Sequence, residues 1–233
     1  MVNFSDNRYE RFIGLLGYER EFLGDKQNGI YIPQKEIYVI KGQEVPTQQG
    51  HMLVLGLEND YHIQEHRSVE DTIKEAKDKN GIIVADHPFY RDGIGPALQT
   101  NNIFLDDLDA IEVFNAEAEL TLPMGNFPKN ANQKAKQFHE FYHIFYPPLG
   151  ALTSSDGHSF YELGQNWTML QDEIIRPQNF VEQIRNGIHK TNVYTQKKES
   201  PSIKGSLDHI IDLVLITKIA PLIGMSKYYE VPK

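Results

Sequence analysis

Short runs of apolar, β-branched residues alternate along the chain with stretches of helical periodicity. The runs Ile37–Lys41, His51–Leu57, Ile82–Ala85, Ala110–Phe114, Gly150–Thr153, Trp167–Leu170 and Asn192–Thr195 have the length and composition of strands. The clearest helix lies between the second and third of these. Ser68 is placed to cap it, and Asp71 follows three residues on, as in a capping box. Val69, Ile73 and Ala76 form its apolar stripe, and Gly81 marks the stop. A second helix is expected over Asn130–Tyr146, ended by Pro147 and Pro148, and a third over Pro177–Asn186, ended by Gly187. Alternation of this kind predicts an α/β architecture with a largely parallel sheet or barrel. Lys197–Pro201 is polar and reads as a linker. Beyond it, Leu207–Ile223 has the pattern of one more amphipathic helix, bent or ended by Pro221.

Composition narrows the chemistry. A length of 233 residues suits one domain with a short appendage. The chain has no cysteine, which excludes disulfides, thiolate metal sites and cysteine nucleophiles. Any metal must be held by His, Asp, Glu or Asn. A formal charge of −9 without a basic run argues against binding a nucleic-acid backbone. A small anionic substrate held by a local cation remains compatible with it. The first residues show neither a basic nor an apolar leader pattern. The most apolar stretch, Ile210–Met225, is interrupted by Asp212 and Lys218 and is too short to span a membrane. A cytoplasmic protein without membrane contact is the expectation.

Ligand-type residues gather at strand ends. Glu44 follows Ile37–Lys41, and His51 opens the next strand. Asp86, His87 and Pro88 follow Ile82–Ala85. Glu112 and Asn115 lie in and just after Ala110–Phe114, and Asp156, Gly157 and His158 follow Gly150–Thr153. A single such histidine is most often a satisfied core or surface residue. Consecutive strands that each deliver a carboxylate or imidazole at one end form the mixed oxygen and nitrogen set that divalent metals take.

These segments resemble the PHP (polymerase and histidinol phosphatase) superfamily. Lys41–Thr47 with Gly50–Leu57 is similar to its Gly-x-Glu and His segment, and Ile83–Phe89 to its His-Pro segment. Ile111–Ala116 is similar to its central strand, and Thr153–His158 to its Ser-Asp-x-His segment. Phe180–Gly187 resembles its late helix. The resemblance implies a distorted (β/α)7-type barrel over residues 1–195, with a linker and helical tail over 196–233. It also implies divalent ions (zinc, manganese or iron) and hydrolysis of a small phosphate ester by a metal-activated water. Carried over to this chain, Glu44, His51, His87, Asp156 and His158 match the metal ligands. Asp156 and His158 would act at the reacting centre, with Arg91 neutralising a phosphate oxygen. Asp86, Glu112 and Asn115 would orient ligands or substrate.

Part of the pattern has no counterpart. The family's opening His-x-His is missing, and the first histidine here is His51. Phe4-Ser5-Asp6-Asn7 stands where the family has Thr-Asp-His-Asn. A member lacking its first β/α unit is therefore expected, either a fragment or a shortened form. Its open barrel seam would suit a second copy or a partner chain. A second functional class follows, a non-catalytic binding or assembly module on the same fold. A third rests on His139-Glu140-Phe141-Tyr142-His143, a literal His-Glu-x-x-His of zinc peptidases. Against the third, Pro147 and Pro148 follow at once and no third ligand lies at the usual helical distance. The segment also falls where the family has a peripheral helix, with Phe138, Phe141, Tyr142 and Phe145 turned inward and His139, Glu140 and His143 partly exposed, and this is the preferred reading.

Overall fold

The computed structural model describes residues 14–119, 130–146, 148–157, 162–171, 177–194 and 196–198. The N-terminal Phe4–Asn7 segment, His158 and the Leu207–Ile223 helix lie outside the described residues.

Three antiparallel strands come first: β1 (Glu21–Leu23), β2 (Gly29–Ile32) and β3 (Ile37–Ile40). A sheet of five follows, in chain order: β4 (Gly42–Thr47), β5 (Gly50–Leu55), β6 (Ile82–Ala85), β7 (Ala110–Asn115) and β8 (Gly150–Ser154). The β4–β5 and β5–β6 pairs are antiparallel, and β6–β7 and β7–β8 are parallel. A short ribbon of β9 (Trp167–Thr168) and β10 (Gln196–Lys197) lies against β8, where Thr153 N–H donates to Thr168 Oγ1 at 2.7 Å.

Four helices are described: α1 (Val69–Asp78), α2 (Gly95–Thr100), α3 (Ala131–Tyr142) and α4 (Phe180–His189). α1 begins as its sequence predicts. The Ser68 hydroxyl accepts the Asp71 N–H, and Val69, Thr72, Ile73 and Ala76 are buried.

The five-stranded sheet is buried on both faces, and the strands alternate between them. Met52, Val54, Ile83, Ala85, Ile111 and Val113 join residues of α1, α2 and α3 in the larger core. Leu53, Ile82, Val84 and Ala110 face the other way, onto Phe180, Val181 and Ile188 of α4 and Leu23 of β1. This double burial is why β6 is an unbroken apolar run rather than an alternating one.

The barrel expected from the resemblance is not formed among the described residues. β4 and β8 end the sheet order and do not pair with each other, so the sheet is open. The reason lies in β4. The sequence reading placed Glu44 in a segment after a strand, whereas it sits within a hairpin strand closed by Gln48 and Gln49. That hairpin makes one side of the sheet antiparallel. Pro46 is tolerated because β4 is an edge strand and needs no second ladder of N–H donors. β10 likewise replaces the expected Asn192–Thr195 strand. No helix among the described residues is long and apolar enough to cross a membrane.

Candidate metal centre

The C-terminal ends of parallel β6, β7 and β8 share one edge of the sheet, where α/β sheets commonly place their sites. The β4–β5 hairpin delivers two more groups to this edge because β5 runs antiparallel to β6. Glu44 pairs with Leu53 across the hairpin, and His51 lies two residues from Leu53, so Glu44 and His51 share a face. A glycine contact fixes the hairpin against the loop after β6. Gly50 has φ +134°, and a Cβ there would run into the backbone of Asp92 and Gly93. Beside it, His51 N–H donates to Asp92 O at 2.5 Å. His51 and His87 are thereby brought together, with ring centroids 5.8 Å apart.

Glu44 is the hub. Its Oε1 lies 2.8 Å from His51 Nδ1 and 3.2 Å from His87 Nε2. One ligand atom from each of Glu44, His51 and His87 falls within 4.8 Å of the others, the spacing of a group able to hold a metal ion. Burial pushes the Glu44 carboxyl up, but hydrogen bonds and charge from the two histidines outweigh this and hold it at about 2. Burial pulls the His87 imidazole down. The Glu44 hydrogen bond and the charges of Asp86, Glu112 and Asp156 overcome that and raise it to about 10. The His51 ring is raised as well, chiefly by its hydrogen bond to Glu44.

Behind this group stands a second layer of carboxylates. Glu112 Oε2 accepts His87 N–H at 2.5 Å and Asn115 Nδ2 at 3.1 Å, and Glu112 Oε1 accepts the Ser154 hydroxyl. Asn115 Nδ2 also donates to Asp156 Oδ2 at 2.9 Å, and Asp156 N–H donates to Ser154 Oγ at 3.2 Å. Glu112 and Asn115 are three residues apart and in a regular strand would point to opposite faces. A bulge in β7 between Glu112 and Phe114 brings both to the site. His87 and Asp156 have φ +29° and +42°, left-handed conformations that a non-glycine residue adopts at a cost.

Asp86 is buried, and burial raises its carboxyl to about 8 against the opposing charge of His87. Its two oxygens and His87 Nδ1 have no hydrogen-bond partner among the described residues. Orphaned buried atoms of this kind, beside a set of imidazole and carboxylate donors, fit a divalent cation.

Of the residues singled out in the sequence, Glu44, His51 and His87 form the group itself. Glu112, Asn115 and Asp156 are linked to it by hydrogen bonds. Arg91 sits on an exposed turn, close enough to Tyr90 for its charge to oppose the rise that burial gives that phenol. The Ser154 hydroxyl is held by its donation to Glu112.

The His-Glu-x-x-His segment is used differently from either sequence reading. His139 is buried, with Nε2 3.1 Å from Leu149 O, and its ring stacks on His143 at 5.1 Å. His143 Nδ1 turns to the carbonyls of His139 and Glu140. No third His, Asp or Glu joins the pair among the described residues. Phe141 and Phe145, expected inward, are exposed, while Ala131, Ala135, Phe138 and His139 form the buried stripe of α3. Clefts of about 280 and 470 Å³ occur around Arg185 and around Lys74, away from the Glu44 group.

Residues 129–188 match a family model described as PHP-associated (PHP_C). That stretch contains α3, β8, β9, α4 and Asp156, but not Glu44, His51 or His87. Over 80 residues the chain is 39% identical to an uncharacterized protein of Methanocaldococcus jannaschii. The similar stretch covers 34% of this chain and 44% of that protein, so the chain spans less than half of its relative's length.

Proposed function

The chain is related to PHP-domain proteins, and from that premise we propose that it is a metal-dependent phosphoesterase acting on a small phosphate ester. The convergence of Glu44, His51 and His87 beside the orphaned Asp86 carboxylate carries this reading. A divalent cation bound there supplies Lewis-acid polarisation of a phosphoryl oxygen and lowers the pKa of a bound water.

The protein's own groups do the rest. Glu44, Asp86, Glu112 and Asp156 crowd carboxyl groups around the two imidazoles, and burial raises two of them, Asp86 and Glu112, so a bound cation would offset the negative charge that the others present to an anionic ester. Asn115 and the Ser154 hydroxyl fix Asp156 at the lip of the site. The attacking water's oxygen bonds to phosphorus as the ester P–O bond breaks, the Asp156 carboxylate takes the water's proton, and the departing ester oxygen leaves with the bonding pair and receives a proton to form the alcohol. Arg91, on its exposed turn, pairs with a non-bridging phosphate oxygen.

The test is hydrolysis of p-nitrophenyl phosphate by the full chain with Mn²⁺ or with EDTA, compared with His87→Ala. Turnover that requires Mn²⁺ and disappears in His87→Ala supports the assignment. Full activity in His87→Ala sinks it. A folded, metal-loaded protein with no turnover on a panel of phosphoesters would favour a binding module on the same fold.

A further inference from the structure

Asn115 is the donor that ties two acids of the site together. Its Nδ2 reaches Glu112 Oε2 at 3.1 Å and Asp156 Oδ2 at 2.9 Å, so both amide protons are used. Its Oδ1 accepts the Ala118 N–H at 3.3 Å. The residue is buried at the last position of β7, and that position needs support. β6 pairs with β7 only at Ala110 and Ile111, so the far end of β7 has no strand on that side. On the other side Ser154 of β8 lies opposite Asn115, and its carbonyl takes the Ala116 N–H at 3.3 Å. In a parallel ladder this leaves the N–H and C=O of Asn115 itself pointing away from β8.

Asn132 meets both groups. Its Oδ1 accepts the Asn115 N–H at 2.9 Å, and its Nδ2 donates to the Asn115 carbonyl at 2.9 Å. The side-chain amide stands in for the missing strand. Nδ2 also donates to Glu119 Oε1 at 2.7 Å, in the turn after β7. Every one of these bonds leaves α3, although Asn132 lies in its first turn. Asparagine is a poor helix former, so α3 itself gains nothing from it there. The helix is anchored by Ala131, Ala135, Phe138 and His139 instead, and keeps that anchor when Asn132 is replaced.

We propose that Asn132 is a positioning residue of the phosphoesterase site: it holds the Asn115 backbone where one amide reaches both Glu112 and Asp156, and so sets the Asp156 carboxylate toward the attacking water. This inference rests on the phosphoesterase reading above. None of the Asn132 hydrogen bonds goes to Glu44, His51 or His87, so its effect falls on turnover rather than on metal binding. A misplacement of about 1 Å at a reacting group costs on the order of 100-fold in rate.

The test compares the full chain as wild type, Asn132→Ala, Asn115→Ala and the double variant on p-nitrophenyl phosphate with Mn²⁺, at a temperature where all are folded. Asn132→Ala lowers kcat at least tenfold, with KM and calorimetric Mn²⁺ affinity within threefold of wild type. Asn132→Ser, too short to meet both backbone atoms, shows the same loss. In the double variant kcat is no lower than in Asn115→Ala alone, because Asn132 acts through Asn115. In metal-free protein the Asn115 N–H, followed by NMR, exchanges at least tenfold faster in Asn132→Ala. Wild-type kcat in both Asn132 variants, losses that add in the double variant, or unchanged exchange at Asn115 overturns the proposal and leaves the phosphoesterase reading standing. If wild type shows no Mn²⁺-dependent turnover, the two fall together.

Discussion

Replacing Glu112 by leucine removes the acceptor of three donors at once: the His87 N–H, the Asn115 amide and the Ser154 hydroxyl. The position is 4% exposed, so water does not take over. Each buried donor left unmade costs about 1–3 kcal/mol. Three of them, at the lower to middle part of that range, amount to about 4 kcal/mol. Burial pushes the Glu112 carboxyl up, so removing the buried acid returns part of this loss. A net loss of up to about 4 kcal/mol lowers the melting temperature by up to about 8–16 °C for a chain of this length. Glu112→Gln keeps an oxygen for His87 and Asn115 and turns its amide toward Ser154 Oγ, so its loss stays near 1 kcal/mol. The leucine variant also frees the His87 backbone from its left-handed conformation, so Mn²⁺ affinity falls as well. Thermal melts of metal-free protein and Mn²⁺ titrations measure both effects. An unchanged melting temperature in Glu112→Leu, or an equal loss in Glu112→Gln, refutes the view that Glu112 works as a shared acceptor.

Other outcomes follow from the same contacts. Ser68→Ala lowers stability to urea by about 0.5–2 kcal/mol through loss of the α1 cap, and leaves metal binding unchanged. His139→Ala destabilises the fold but keeps the wild-type metal content, whereas His87→Ala loses metal. Loss of one metal equivalent in a folded His139→Ala would instead restore the peptidase-like site. Burial lowers the His139 pKa from its ordinary 6.5, so the folded state favours the neutral ring. The unfolded chain takes up that proton first, and stability falls as pH drops below about 6.5. Urea melts at pH 5 and pH 7.5 should show a smaller pH-dependent loss in His139→Phe than in wild type, and equal slopes would contradict the assignment.

How much of this was legible in the sequence depended on whether local chemistry decided the outcome. α1 could be read because its cap, stripe and stop are all encoded within fourteen residues of one another, from Ser68 to Gly81. β6 could be read because a strand buried on both faces is apolar throughout. β4 was missed because Pro46 argues against a strand everywhere except at a sheet edge, and which strand is the edge is a tertiary fact. The same fact decided between a closed barrel and an open sheet. In α3 the aromatic residues Phe141, Tyr142 and Phe145 pulled the expected buried face round, although Ala131, Ala135 and Phe138 offered a stripe of their own.

The site divides along the same line. Glu44, His51 and His87 could be picked out by residue type and by position at strand ends. The joint placement of Glu112 and Asn115 could not, since it depends on a bulge that strict alternation does not foresee. The orphaned state of Asp86 could not either, because it is a statement about which neighbours failed to arrive.

The central claim is that this end of the sheet holds a divalent metal. Elemental analysis of the full chain, purified without chelator or affinity metal, tests it most directly, with His87→Ala alongside. The account predicts at least one equivalent of zinc, manganese or iron per chain, lost in the folded His87→Ala variant. A folded wild-type protein that carries no metal, and takes up none when Mn²⁺ or Zn²⁺ is supplied, would contradict it.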